Sequence, residues 1–124
     1  MLLVEDYDDA REMYAEYLTL IGFDMVQAAN GLEAIEQALQ CPPHIVVMDL
    51  SLPHMDGWET VRRLKANERT ARIPVVALTG HVVADFSRRA YQAGFEGFLT
   101  KPCLPEDLVT EIRRILGTGV SSPA

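Results

Sequence analysis

Glu5 and Asp6, Asp49, and Lys101 each close a short apolar run: Leu2-Leu3-Val4, Val46-Val47-Met48 and Leu99-Thr100. Each run has strand length. If each is a buried parallel strand, its charged residue stands at the carboxyl edge of the sheet, where open α/β sheets place their ligands. The expectation is a cluster of two or three carboxylates and one lysine, assembled from distant parts of the chain. Such a cluster suits a magnesium ion and a phosphoryl group.

Asp49 is the candidate nucleophile, because a carboxylate can attack phosphorus and become an acyl phosphate. Attack of one anion on another needs charge neutralisation, so a divalent cation and a lysine belong beside it. Glu5, Asp6 and Asp49 offer oxygen ligands in the modest number that magnesium accepts alongside water and phosphate oxygens. Lys101 supplies a compact charge for a phosphoryl oxygen. Thr79, ending another apolar run before Gly80, offers a hydroxyl hydrogen bond to a further oxygen.

The elements that must position these residues alternate from end to end. Strand-like runs cover Met1 to Val4, Phe23 to Ala28, His44 to Asp49, Ile73 to Leu78 and Phe95 to Leu99. Helix-period segments lie between them. Ala10, Met13, Tyr14, Tyr17, Leu18 and Ile21 form the first, stopping at Gly22. Leu32, Ile35, Ala38 and Leu39 form the second, ended by Pro42-Pro43. Trp58, Val61 and Leu64 mark a third after Gly57, and Val83, Phe86, Ala90 and Ala93 a fourth before Gly94. The last begins near Pro105-Glu106-Asp107, with proline and acids suited to a helix start, and stops at Gly117. Five βα units force parallel strands joined by right-handed crossovers. A doubly wound five-stranded sheet in the order 2-1-3-4-5, helices on both faces, is the natural architecture. The domain is expected over 1–117, with a fraying tail over 118–124. The first strand is short for a central position, so the sequence is expected to begin slightly inside the natural gene product.

The chain of 124 residues carries a formal net charge of −7 and a sequence pI near 4.8, which argues against nucleic acid as a direct partner. No apolar run approaches the roughly 20 residues that span a bilayer, and no signal peptide is visible. A cytoplasmic location is the expectation, with Cys41 and Cys103 as reduced thiols. His44, His54 and His81 are too dispersed for a metal site. Trp58 reads as a half-buried helix-start anchor.

Taken together, the segments Leu3-Val4-Glu5-Asp6, Met48-Asp49-Leu50-Ser51-Leu52-Pro53-His54-Met55-Asp56-Gly57, Ile73-Pro74-Val75-Val76-Ala77-Leu78-Thr79-Gly80 and Phe98-Leu99-Thr100-Lys101-Pro102 carry a family resemblance. The chain resembles the receiver domain of two-component response regulators over essentially its whole length. The resemblance implies the flavodoxin-like order 2-1-3-4-5. It further implies that Asp49 accepts a phosphoryl group from a histidine kinase or histidine phosphotransfer protein, with Mg2+ or Mn2+ as cofactor. By the same likeness Asp6 is a direct metal ligand, Glu5 acts through ordered water, and the Ser51 carbonyl completes the protein ligands. Thr79 and Phe98 form the switch pair, Lys101 contacts the phosphoryl group, and Ser51 and His81 border the site where attacking water is governed. The fourth helix, fifth strand and fifth helix form the face for a downstream protein or a second copy. Such a domain is a phosphorelay signalling module rather than an enzyme, beyond its own phosphorylation and dephosphorylation. Tyr7 departs from the acidic or small polar residue frequent after the acid pair.

Two enzymatic or redox alternatives fit less well. A haloacid-dehalogenase-type phosphatase needs a second aspartate two residues after the nucleophile, and Ser51 stands there. A flavodoxin needs a hydroxyl- and glycine-rich phosphate loop after the first strand, where Glu5-Asp6-Tyr7-Asp8-Asp9 would repel the flavin phosphate. A receiver-fold interaction domain that is never phosphorylated is the third alternative, against which the complete acceptor set argues.

Overall fold

The computed structural model describes residues 1–52, 55–80 and 85–117. The expectations for His54, His81 and Val83, and for the tail from Thr118, lie outside the described residues. Among the described residues five strands alternate with five helices: β1 (Leu2–Val4), α1 (Asp8–Leu20), β2 (Val26–Ala28), α2 (Gly31–Gln40), β3 (Val46–Asp49), α3 (Gly57–Ala66), β4 (Val75–Thr79), α4 (Phe86–Ala93), β5 (Gly97–Thr100) and α5 (Pro105–Leu116). All strand pairs are parallel, as the alternation predicts, and the sheet order is β2-β1-β3-β4-β5, as the resemblance implies.

Residue alternation along the strands divides the interior into two layers. Leu2, Val4, Val46, Met48, Val75 and Ala77 face α2, α3 and α4, where Ala34, Ala38, Val61, Leu64, Phe86 and Ala90 meet them. Leu3, Val47, Val76 and Leu78 face α1 and α5, against Tyr14, Leu18, Leu108 and Ile112. The central strands are apolar on both faces because both are covered, as a parallel sheet requires.

The strands are shorter at their amino ends than the apolar runs suggest. Phe23 does not begin β2, because its N–H turns back to the Leu18 carbonyl of α1 at 3.0 Å. Phe95 does likewise toward Ala90, next to Gly94 at φ +115°, a left-handed turn that glycine adopts without strain. Both aromatic runs are thus helix-closing turns, with the Phe95 ring buried and the Phe23 ring half-buried before the strand starts. At the other end, β4 stops on Thr79 and β5 reaches Thr100, one residue past the run from Phe95 to Leu99. No described helix is long and apolar enough to cross a membrane. Cys41 is an exposed and Cys103 a buried free thiol.

Candidate functional site

The register places the chemistry at one edge. Val4 pairs with Met48 across β1 and β3, Asp49 with Leu78 across β3 and β4, and Thr79 with Thr100 across β4 and β5. Glu5, Asp49, Thr79 and Lys101 therefore end or directly follow four adjacent strands. The backbone continues the ladder past the strands: Leu50 N–H donates to the Leu78 carbonyl at 3.0 Å, and Lys101 N–H to the Thr79 carbonyl at 2.7 Å. Parallel pairing carries the sequence separation, and the side chains arrive together.

Lys101 stands at the centre. Its Nζ donates to Asp49 Oδ2 at 2.7 Å and to Glu5 Oε1 at 2.9 Å. Asp49 is 6 % exposed and Glu5 only 1 %. The remaining oxygens are held by the backbone, Asp49 Oδ1 accepting from Ser51 N–H at 2.9 Å and Glu5 Oε2 from Tyr7 N–H at 3.2 Å. Burial pushes the Glu5 carboxyl up from its ordinary value, against the opposing pull of Lys101 and the Tyr7 N–H. Burial opposes the Lys101 charge, yet the hydrogen bonds and charges of Asp49 and Glu5 outweigh it and hold the ammonium above the usual lysine range.

Asp6 is exposed, and its carboxylate turns to the same point as those of Glu5 and Asp49. One oxygen from each of the three lies within 4.8 Å of the others. Three carboxylates facing one lysine are a hard, oxygen-only donor set that remains net negative. That composition fits a magnesium-like cation. Glu5 is more deeply enclosed than an acid reached only through solvent, since a lysine and a backbone amide already occupy its two oxygens.

The helix starts around the edge are tightly placed. Asp56 caps α3, its Oδ1 accepting from Glu59 N–H at 2.9 Å. Gly57 donates its N–H to the Leu50 carbonyl at 3.0 Å, and a Cβ there would stand 2.8 Å from the Asp49 carbonyl oxygen and from Leu50 Cα. Glycine is what lets α3 approach the strand end that carries Asp49. Beyond Asp49 a cleft of about 380 Å³ opens among Ser51, Asp56, Trp58, Thr79, Phe86 and Arg89. Thr79 is 6 % exposed and takes part in a bonded contact. Phe98 lies on the same sheet face, half-buried against Phe86. Trp58 is the half-buried anchor expected of it, edge-on to both Phe86 and Phe95, with the Arg89 guanidinium 5.4 Å from its ring.

Two contributors escape a reading based on charged strand ends. Tyr14 of α1 donates its hydroxyl to the Cys103 carbonyl at 2.6 Å, tying the turn after Lys101 to the opposite helix. Arg11 donates to the carbonyl of Glu5 at 2.9 Å. Its signal was present in the composition: of the eleven lysines and arginines, Arg11 alone precedes Arg62, and it lies within a run of acids.

A family profile described as the response regulator receiver domain matches residues 1–113. The polar-differentiation response regulator DivK of Brucella anthropi is 28 % identical over 117 residues, covering 94 % of this chain and 95 % of DivK. The DNA-binding dual master transcriptional regulator RpaA of Synechocystis is 31 % identical over 116 residues, and there the match covers 94 % of this chain but only 48 % of the relative. Against such a regulator the chain spans about half the length. Among solved structures, the receiver domain of the sensor histidine kinase PA1611 from Pseudomonas aeruginosa superposes with a TM-score of 0.84 at 29 % identity, covering 94 % of this chain and 95 % of that one. That structure holds a magnesium ion coordinated in its active site cleft.

Proposed function

The chain belongs to the response regulator receiver domains, and on the geometry of its sheet edge we propose that it accepts a phosphoryl group on Asp49 and uses it to switch a protein-binding face. The observation that carries this reading is the Lys101 ammonium bridging Asp49 Oδ2 and Glu5 Oε1 beside the converging carboxylate of Asp6. Asp6 and Asp49 would hold the divalent cation directly, with the Ser51 carbonyl, and Glu5 would act from behind through Lys101 and water. Bound there, Mg2+ or Mn2+ would supply positive charge against the phosphoryl oxygens.

The chain's own residues then divide the work. An Asp49 carboxylate oxygen attacks phosphorus as the phosphorus–nitrogen bond of a phosphohistidine breaks, and the imidazole nitrogen leaves with the bonding pair. Lys101 is already hydrogen-bonded to Asp49 and needs only a small displacement to meet a phosphoryl oxygen, so little reorganisation accompanies the charge transfer. Thr79 offers its hydroxyl to a second oxygen from the end of β4. Ser51 donates its N–H to the acceptor and flanks the mouth of the site. The donor would be a histidine kinase or a histidine phosphotransfer protein, and the setting the cytoplasm.

Output follows from the same geometry. The new charge draws Thr79 toward the phosphoryl oxygens, and the Phe98 ring, on the same sheet face, responds by packing. The face formed by α4, β5 and α5 would then bind a downstream protein or a second copy of the chain.

The test is self-phosphorylation from a small acyl phosphate or phosphoramidate, followed by intact mass. The expected result is one added phosphoryl group, dependent on a divalent cation and absent from Asp49→Asn. Cation-independent labelling, or single-site labelling that survives Asp49→Asn, overturns the reading.

A further inference from the structure

Arg11 is spent on the acid loop. Its guanidinium is largely enclosed, with 15 % of the side chain exposed, and it uses three donors on three segments. Nη1 donates to the Glu5 carbonyl at 2.9 Å, Nε to Gln27 Oε1 of β2 at 3.2 Å, and Nη2 to Asp8 Oδ1 at 2.7 Å. Its own N–H donates to the Tyr7 carbonyl at 2.9 Å. The Glu5 carbonyl belongs to the peptide plane that joins Glu5 to Asp6, and that plane is rigid. Gripping its oxygen fixes the direction in which the chain leaves for Asp6.

The grip matters because Asp6 has little else to hold it. Glu5 is buried and doubly bonded, and Asp49 ends a central strand. Asp6 alone among the three acids is exposed. Its approach to the other two depends on the loop between β1 and α1. On one side that loop is held by the Tyr7 N–H on Glu5 Oε2. On the other it is held by Arg11.

We propose that Arg11 is a positioning residue for the Asp6 carboxylate, setting the affinity of the three-acid cluster for a divalent cation through its bond to the Glu5 carbonyl. The inference rests on the reading of Glu5, Asp6 and Asp49 as a cation site. Two physical effects of Arg11 have opposite signs, which makes the claim decidable. As a charge among Glu5, Asp6, Asp8 and Asp9 it repels a cation, so its removal should tighten binding. As a fork that fixes the loop it favours binding, and its removal should weaken it. A lysine keeps the charge but cannot reproduce a planar guanidinium spanning three acceptors.

The experiment is calorimetric titration of Mg2+ into the metal-free chain at constant ionic strength, with thermal unfolding in chelator as a separate record of folding. Arg11→Lys is expected to weaken Mg2+ binding about tenfold, the lower end for losing a partner that orients a metal ligand. In an Asp6→Asn background the same replacement should change affinity by less than about twofold, because the loop no longer carries a ligand to position. A merely structural Arg11 would lower the unfolding temperature and leave the affinity of the folded protein alone. If Arg11→Lys does not fold, Gln27→Leu on the exposed edge strand removes one of the three acceptors, with a smaller loss in the same direction expected. Unchanged or tighter binding in Arg11→Lys, or equal losses with and without Asp6, overturns the inference. A native chain that binds no Mg2+ overturns the cation-site reading itself, a result distinct from either.

Discussion

The ring of Phe98 meets that of Phe86 edge-on, with centroids 4.8 Å apart and planes inclined at 71°. Phe86 meets Trp58 at 5.8 Å, and Trp58 meets Phe95 at 5.5 Å. The four rings join the starts of α3 and α4 to β5 and to the turn before it. Phe86 also lines the cleft beside Thr79, so the ring that would be displaced by any inward movement of Phe98 is identified. Truncating buried Phe86 to alanine is expected to cost about 3 kcal/mol or more in urea unfolding. A double-mutant cycle with Phe98→Leu should give a coupling near 1 kcal/mol, as edge-to-face pairs do. Strict additivity would show that the two rings do not act together.

Thr79 should be the link between the phosphoryl site and that aromatic contact. Beryllofluoride, a phosphoryl mimic, is expected to move amide resonances along α4, β5 and α5 in the wild type. In Thr79→Ala the resonances around Asp49 should still move while those distal to Phe98 stay in place. An unchanged distal response in Thr79→Ala would remove threonine from the coupling.

Lys101→Met separates cation binding from chemistry. The ammonium bonds an oxygen on each of Glu5 and Asp49, two of the three acids of the cluster, and repels a cation there, so its loss should tighten Mg2+ binding by several-fold. The same variant should slow phosphorylation of Asp49 by about 10²-fold, the usual cost of deleting one preorganised charge at a developing anion. Calorimetry and the rate of mass increase read the two effects apart. Equal losses in both would mean that Lys101 serves chiefly to hold the fold of the edge.

Glu5 should leave a pH signature in the metal-free chain. Burial raises its pKa in the fold above the ordinary value of 4.5, so the folded state keeps the proton to a higher pH than the unfolded state. The stabilisation this represents is complete below about pH 4.5 and is lost as pH rises through the folded pKa. Glu5→Gln imitates the protonated form. Its melting temperature in chelator should match that of wild type in acid and exceed it by several degrees at pH 7, with weaker Mg2+ binding throughout. A variant less stable than wild type at pH 7 would mean that the Lys101 bond outweighs burial at this position.

The division between sequence and tertiary structure falls along a physical line. Strand direction was legible because βα alternation admits only parallel strands with right-handed crossovers. Once that was granted, Glu5, Asp49, Thr79 and Lys101 had to share the carboxyl edge whatever the details of packing. The order 2-1-3-4-5 came with the family resemblance rather than from alternation, which doubly wound sheets of other orders share, and the half-burial of Trp58 came from its place at a helix start. The amino ends of β2 and β5 were not legible, since Phe23 and Phe95 are as apolar as strand residues and only their backbone turns reveal them as helix closures. Nor were the roles of side chains that bond across loops. Nothing in the order of residues says that Glu5 is sealed beneath Lys101 while its neighbour Asp6 stays exposed, or that Arg11 reaches back to the Glu5 carbonyl. Periodicity and strand order act along the backbone and can be read in one dimension. Burial, ion pairing and the contact of Phe98 with Phe86 depend on which surfaces close over one another, and that is decided only when α1, α4 and α5 have packed onto the sheet.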